Sequence, residues 1–241
     1  MHEAALIIPA LNPSEQLIPY VQDVLAEGFA QVIVVNDGSR EACQPIFEHL
    51  QLLNRCEVLT HEVNRGKGRA LKTAFQYILA QPPHIKRVVT ADADGQHTVK
   101  DVQRVAEACV EHPEAMVLGV RDFDGPQVPK RSLLGNKATS LLFQWLYGKK
   151  LKDTQTGLRG IPVRELSGMI RLKGERYEYE INMLIYAVRK KLEIHEIPIE
   201  TVYINNNASS HYSSVRDSLR IFQRMISGFP KAHKEEKDSA P

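Results

Sequence analysis

The sequence predicts an α/β fold: a mostly parallel central sheet with helices on both faces and a C-terminal helical elaboration. Two features carry this expectation. Apolar, β-branched runs alternate with helical stretches through the first half of the chain, the pattern of repeated βα units. Polar and turn-forming residues also gather where the apolar runs end, as expected where strand carboxyl ends line up along one edge of a sheet.

Taken in order, Ala4 to Leu11 is an apolar run that ends at Asn12. The start MHEAALIIPALNP lacks the basic residues and long apolar stretch of a signal peptide and reads as a first strand. A helical stretch near Ser14 to Glu27 leads to a second strand, Gln31 to Asn36, closed by the turn residues Asp37-Gly38-Ser39. Helix near Arg40 to Leu52, strand Glu57 to Thr60 and helix Gly68 to Ala80 follow. The fourth strand, Arg87 to Ala91, runs into Asp92 and Asp94; helix Val99 to His112 then leads to the fifth, Ala115 to Val120, which ends at Arg121-Asp122.

The second half changes character. Arg131 to Tyr147 is a long amphipathic segment with an aromatic end, followed by the polar turn DTQTGLRG and the helical YEYEINMLIYAVRKK. Glu193 to Ile204 alternates like a strand pair, with Pro198 marking an edge or bend. Val215 to Phe229 reads as a basic amphipathic helix, and residues 231–241 as a disordered tail. Neither an internal repeat nor a linker divides the chain, so residues 1–230 are expected to form one domain, with halves at about 1–122 and 123–230.

Composition narrows the function classes. At 241 residues, with 43% hydrophobic and 25% charged residues, the chain suits one soluble α/β domain with elaborations, or at most two small domains. A net charge of +2 gives no ground for a nucleic-acid partner. Cys43, Cys56 and Cys109 are odd in number and lack ligand-like spacing, which argues for reduced thiols in a cytosolic protein and against a disulfide framework or zinc site. No run reaches the length of a membrane span.

The most informative stretch is TADADGQH, Thr90 to His97. In extended backbone an Asp-x-Asp pair points both carboxylates to one side, because strand side chains alternate with period two. Carboxylates held together repel unless a cation lies between them, and such oxygen ligands suit Mg2+ or Mn2+. Gln96 falls on the same side and offers a third oxygen. A solvated acidic turn is the competing reading of the pair taken alone.

The segments IIPALNP, VVNDGS, NRGKGRALKTAF, TADADGQH, GVRDFDG, DTQTGLRG and YEYEINML stand in an order that resembles the family 2 glycosyltransferases of GT-A (Rossmann-like) fold. Within them the resemblance is to the dolichyl-phosphate mannosyltransferase-like, or polyprenyl-phosphate glycosyltransferase, branch, over roughly residues 3 to 225. It implies a hexosyltransferase in which Pro9, Leu11 and Asn12 line the nucleotide base and ribose. Asp37 matches an aspartate that contacts base or ribose, while a plain Asx turn stays open for it. Lys67 and the helix start at Gly66 to Arg69 would favour phosphate or ribose oxygens. Asp92, Asp94 and Gln96 would hold the Mg2+ or Mn2+ that bridges the donor's phosphates, with His97 either supporting the loop or approaching a phosphate.

The same resemblance places Arg121 and Arg131 at a lipid-phosphate site, where guanidinium forks suit an anion. The family tends to carry a serine one turn beyond the second arginine; here Gly135 stands there, with Ser132 and Asn136 nearby. A phosphate acceptor is already ionised and needs no strong base, whereas a hydroxyl acceptor needs a carboxylate. Asp153, Glu178 and Glu180 are the nearby carboxylates; Asp153 and Glu180 match family positions, as structural groups, sugar contacts or a base. HYSSVRD resembles a mobile loop over the donor, with Arg216 as a pyrophosphate contact and His211 assisting; helix capping is the other reading.

The expected reaction is therefore metal-dependent, inverting transfer of a hexose from a UDP- or GDP-sugar to a polyprenyl phosphate, giving a lipid-linked sugar for envelope glycan assembly. Apolar residues with Trp145 and Tyr147, flanked by Lys130, Arg131, Lys137, Lys149 and Lys150, suit a peripheral enzyme on the inner face of the cytoplasmic membrane. Packing of these helices on the sheet is the competing reading. Three rivals remain: transfer to a saccharide hydroxyl, a non-catalytic nucleotide-sugar-binding subunit, and a nucleotidyltransferase, which lacks its GxGxR-like phosphate loop here.

Overall fold

The computed structural model of the chain describes residues 3–82, 84–122, 130–200 and 225–226, with side chains for all of these except 130–134. The elements are β1 (Ala4–Ala10), α1 (Leu17–Ala26), β2 (Gln31–Asp37), a 3-10 turn (Glu41–Cys43), α2 (Gln44–Gln51), β3 (Cys56–His61), α3 (Lys67–Ala80), β4 (Arg87–Thr90), α4 (Val99–Glu111), β5 (Met116–Arg121), α5 (Lys130–Tyr147), β6 (Arg159–Pro162), α6 (Val163–Ile170), α7 (Glu178–Arg189) and β7 (Ile194–Ile199).

The strands form a seven-stranded sheet in the order β3-β2-β1-β4-β6-β5-β7. Every neighbouring pair is parallel except those made by β6, which runs antiparallel to both β4 and β5. The strand order reverses direction between β1 and β4. Such a switch point opens a crevice outside the strand carboxyl ends, where ligands bind.

Both faces of the sheet are covered, which is why β1 and β2 read as continuous apolar runs rather than as alternating ones. Ala5, Ile7, Ile33 and Val35 pack on one side with Leu71, Phe75, Phe143, Leu166 and Met169 from α3, α5 and α6. Leu6, Ile8, Val32 and Val34 pack on the other with Val21, Val24, Phe47 and Val105 from α1, α2 and α4. α4 is started by Thr98, whose hydroxyl accepts from the Asp101 backbone N–H at 3.1 Å. Met225 is buried in the α3/α5 layer, and its carbonyl accepts from the Tyr147 hydroxyl at 2.8 Å.

Several sequence expectations need correction. The polar turn DTQTGLRG runs into β6, inserted between β4 and β5, so the second half contributes a strand to the middle of the sheet. Glu193 to Ile204 yields one strand, β7, within the described residues; it is the sheet's edge, which accommodates Pro198. The fourth strand stops at Thr90, and Asp92 to Gln96 form a turn with Gly95 at φ 77° rather than extended backbone. The arginine-rich face at 215–224 and the tail at 231–241 lie outside the described residues.

Candidate active site

At the β1/β4 switch point lies a cavity of about 390 Å³, a size suited to a small ligand. The end of β1 and the loop after it supply Pro9, Leu11 and Asn12 to its wall; β2 supplies Asp37, the start of α3 supplies Gly66 and Lys67, and the turn after β4 supplies Asp92 and Asp94. The sequence-expected donor residues are thus brought together, apart from Arg216, which lies outside the described residues. Gln96 is not among the lining residues; its backbone N–H donates to Asp94 Oδ1 at 3.1 Å, so within this turn it stands beside the pair as a backbone donor.

The walls are tied to one another by short polar contacts. Asn12 sits at φ 50°, a left-handed conformation that asparagine tolerates. Its N–H donates to the Ser39 hydroxyl at 2.9 Å, and its side-chain oxygen accepts from the Arg40 N–H at 2.9 Å. Asp37 is buried. Its Oδ1 accepts from the Arg65 N–H at 2.9 Å and contacts His61 Nδ1 at 2.7 Å, while Oδ2 accepts from the Gly66 N–H at 2.7 Å. Asp37 therefore holds the loop that starts α3, in addition to facing the cavity. Gly66 has φ 99°, and a Cβ there would meet the Glu175 carbonyl oxygen at 2.4 Å. The close approach that this glycine permits is between two protein segments at the cavity wall.

Charge is concentrated around Lys67. Its ammonium donates to Asp92 Oδ1 at 2.6 Å and to Glu180 Oε1 at 3.0 Å. Burial alone would lower the Lys67 pKa, but the two carboxylates outweigh it and keep the ammonium charged. For Asp92, burial pushes upward, and the charges of Lys67, His97 and Arg121 with the Lys67 hydrogen bond bring the pKa down to about 2. Asp94 goes the other way: burial first, and then the Asp92 charge, push it up to about 6. His97 is buried, and its Nδ1 accepts from the Asp92 N–H at 3.1 Å, which assigns it to supporting the turn; burial lowers its pKa.

The oxygen-only donor set of Asp92 and Asp94 fits a hard divalent ion. The space beside it is guarded: a Cβ at residue 157 would stand 2.5 Å from Asp92 Oδ2, so only glycine leaves that oxygen its place.

A second cavity, of about 670 Å³, lies along α5, lined by Arg121, Lys137, Lys150 and Lys152 and by Leu141 and Leu151 among others. Arg121 lies close enough to Asp92 to help lower its pKa. Its Nε donates to Asp153 Oδ2 at 2.7 Å and its Nη2 to Oδ1 at 3.1 Å, a two-point pair. Asp153 is fully buried, and its Oδ1 also accepts from the Gln155 N–H at 3.0 Å. Both expected base candidates, Asp153 and Glu180, are thus ion-paired. Glu178 Oε1 accepts from the Glu175 N–H at 3.1 Å. The side chains of Arg131 and Ser132, and His211, are outside the described residues.

Sequence reasoning did not single out Arg159, fully buried in β6. Its Nε donates to the Thr156 carbonyl at 2.9 Å and its Nη1 to the Glu180 carbonyl at 2.6 Å, fixing the start of α7 and with it the carboxylate facing Lys67. Asn64, Arg176 and Tyr177 also line the first cavity, with Lys67 Nζ 5.9 Å from the Tyr177 ring centroid. Asn64 and Tyr177 open the segments NRGKGRALKTAF and YEYEINML without having been singled out, and Arg176 lies just outside them, reaching the cavity through the fold rather than through a local pattern.

Comparison with known proteins agrees with this geometry. Residues 5–173 match the family described as Glycosyl transferase family 2. The UDP-N-acetylglucosamine–dolichyl-phosphate N-acetylglucosaminyltransferase of Methanococcus voltae is 28% identical, over 92% of this chain and 94% of that protein. The dolichyl-phosphate beta-glucosyltransferase of Saccharomyces cerevisiae is 26% identical, over 92% of this chain and 72% of its own length. Among solved structures, the glucosyl-3-phosphoglycerate synthase of Mycobacterium tuberculosis, in complex with Mn2+, UDP-glucose and phosphoglyceric acid, superposes with a TM-score of 0.71 at 17% identity, covering 94% of this chain and 79% of that one. That likeness is one of fold, GT-A, and the seven-stranded, mostly parallel sheet is its core. With its family match spanning most of the sheet and all of the first cavity except Arg176 and Tyr177, this chain belongs to glycosyl transferase family 2.

Proposed function

We propose that the protein transfers a hexose from a nucleoside diphosphate sugar to a polyprenyl phosphate, with inversion at the sugar. One observation carries this reading: Arg121, whose charge acts on Asp92 in the wall of the donor-sized cavity, itself lines a second cavity that is cationic and apolar at once. A phosphate carried on a hydrocarbon chain satisfies both properties of that second space.

The first cavity receives the nucleotide, with the loop from Pro9 to Asn12 against base and ribose and Lys67 toward the phosphates. Asp92 and Asp94 would hold a divalent ion, Mg2+ or Mn2+, which neutralises charge on the departing diphosphate. The Mn2+ and UDP-glucose bound in the Mycobacterium tuberculosis neighbour support such a donor complex, and the dolichyl-phosphate transferases among the relatives support the acceptor.

An ionised phosphate oxygen forms the new bond to the anomeric carbon as the bond to the diphosphate breaks, so no proton has to be removed. The pairing of Asp153 with Arg121 and of Glu180 with Lys67 supports that choice, because both carboxylates are engaged by cations. Arg121 and Lys137 orient the acceptor phosphate. The exposed Leu141 and Trp145 of α5, with Lys149 and Lys150 at its end, would rest on a membrane surface as a peripheral anchor. Among the described residues no helix is long and apolar enough to cross a membrane.

The test supplies UDP- and GDP-hexoses with Mg2+ or Mn2+, with and without a short polyprenyl phosphate, and reads the lipid by mass spectrometry. A hexose-shifted lipid that disappears in Asp94→Asn is the expected result. Donor hydrolysis with no lipid product would move the assignment to a saccharide acceptor, and no donor binding would sink the transferase reading.

A further inference from the structure

At the amino end of the edge strand β7, whose other end lines the second cavity through Pro198, three side chains converge. His112 follows the last residue of α4, Glu193 precedes β7, and His195 is the second residue of β7. One ligand atom from each, the two imidazole nitrogens and a carboxylate oxygen, lie within 4.8 Å of one another. The imidazoles are stacked, with ring centroids 3.9 Å apart and planes inclined by 22°. We propose that His112, Glu193 and His195 form a binding site for a divalent transition ion of the Zn2+ class, separate from the acidic pair and independent of the acceptor reading above.

Chemistry and geometry both point there. Two imidazoles and one carboxylate make the borderline-soft set that takes Zn2+, Ni2+ or Co2+, whereas Asp92 and Asp94 offer only hard oxygen. Ligands about 2.1 Å from a tetrahedral Zn2+ stand about 3.4 Å apart, so atoms within 4.8 Å of one another need to close by at most about 1.4 Å, within reach of side-chain rotation. Water would complete the tetrahedron, since all three residues are at least partly exposed.

The backbone beneath is already fixed. The Met116 N–H donates to the Glu193 carbonyl at 2.8 Å, the Ala115 N–H donates to the His112 carbonyl at 3.0 Å, and β5 pairs with β7 in the register Val117 to His195. Little conformational freedom is therefore lost when the ion binds. The cysteine spacing gave no hint of such a site, because its ligands are histidines and a glutamate joined only by the β5/β7 pairing. Its effect is mechanical: β7 is the sheet's edge strand, and the ion would clip its amino end to the end of α4. At the other end of β7 the Glu200 N–H already donates to Asp101 Oδ2 in α4, at 3.0 Å.

The experiment titrates tag-free, EDTA-stripped protein with Zn2+ by calorimetry and follows Co2+ substitution by its visible d–d absorption. One Zn2+ per chain is expected in the wild type and in an Asp92→Asn/Asp94→Asn variant, with a higher Tm on loading. His195→Gln and Glu193→Gln, each melting like the wild type in EDTA, should weaken Zn2+ by at least about tenfold. Should His195→Gln fail to fold, the exposed Glu193→Gln carries the same test. Absence of wild-type binding at micromolar Zn2+, binding that survives these substitutions, or binding lost instead in the aspartate variant would each overturn the proposal.

Discussion

Lys67 Nζ lies 2.6 Å from Asp92 Oδ1, and the same ammonium reaches Glu180 on α7, so one cation ties the acidic pair after β4 to the start of a helix from the second half of the chain. Removing it leaves two carboxylates facing each other with little water. Full burial would make that loss about 3–5 kcal/mol; with the Asp92 side chain 30% exposed, Lys67→Met should cost about 2–3 kcal/mol in urea unfolding. Adding Glu180→Gln to Lys67→Met should recover part of it, because it removes one of the stranded charges. Purely additive losses would show that the three groups do not act as a unit.

Asp94 predicts an unusual sign. Its pKa is pushed up to about 6 in the fold, against about 3.9 in an unfolded chain. The folded, metal-free protein thus binds this proton more tightly. The resulting stability is full below about pH 4 and lost as pH rises toward about 6. Asp94→Asn has no such proton to lose, so in EDTA at pH 7.5 it should be more stable than wild type by about 1–2 kcal/mol, with the advantage absent at pH 4. Mn2+ should raise the wild-type Tm and leave the variant's unchanged. A variant less stable at pH 7.5 would contradict the crowding of the two carboxylates.

Gly157 tests the space around Asp92 without altering any charge. A Cβ there would stand 2.5 Å from Asp92 Oδ2, so Gly157→Ala must displace the carboxylate. The expected result is a folded protein whose kcat/KM falls by roughly 100-fold, together with a higher requirement for divalent ion. Gly135→Ala is the comparison for stability: among the described residues nothing lies within 4 Å of its Cβ position on α5, and it should gain up to about 1 kcal/mol of stability with the divalent-ion requirement unchanged. Wild-type activity and ion requirement in Gly157→Ala would show that Asp92 tolerates displacement.

The alternation from β1 to β5 was legible because β1, β2, β4 and β5 are largely buried apolar runs closed by polar or turn-favouring residues, such as Asp37-Gly38 and Asp92 to Gly95. β6 was not. Arg159 and Gly160 look like part of a turn, and only the tertiary placement of Arg159 beneath Glu180 makes the segment a buried strand. Asp92, Asp94 and Lys67 were identifiable as site residues from their motifs. That Glu180 meets Lys67, and that Asp153 takes the Arg121 fork, depends on β6 inserting between β4 and β5 and on α7 packing against α3, which no local pattern encodes.

The Arg121–Asp153 pair separates a role in the acceptor site from a role in the fold. Asp153 is fully buried and grips Nε and Nη2 of Arg121, while the Arg121 side chain is 25% exposed along the second cavity. Arg121→Lys keeps the charge but loses the planar fork, so kcat/KM for polyprenyl phosphate should fall by roughly 10- to 100-fold while KM for the nucleotide sugar stays within about twofold. Asp153→Asn should act the same way through the loosened guanidinium, with an added stability loss of about 1–3 kcal/mol because Arg121 would be held by a neutral partner. Steady-state kinetics varying donor and acceptor separately provide the check. If both KM values rise together, in proportion to lost stability, Arg121 serves the fold alone and the acceptor phosphate must be bound elsewhere.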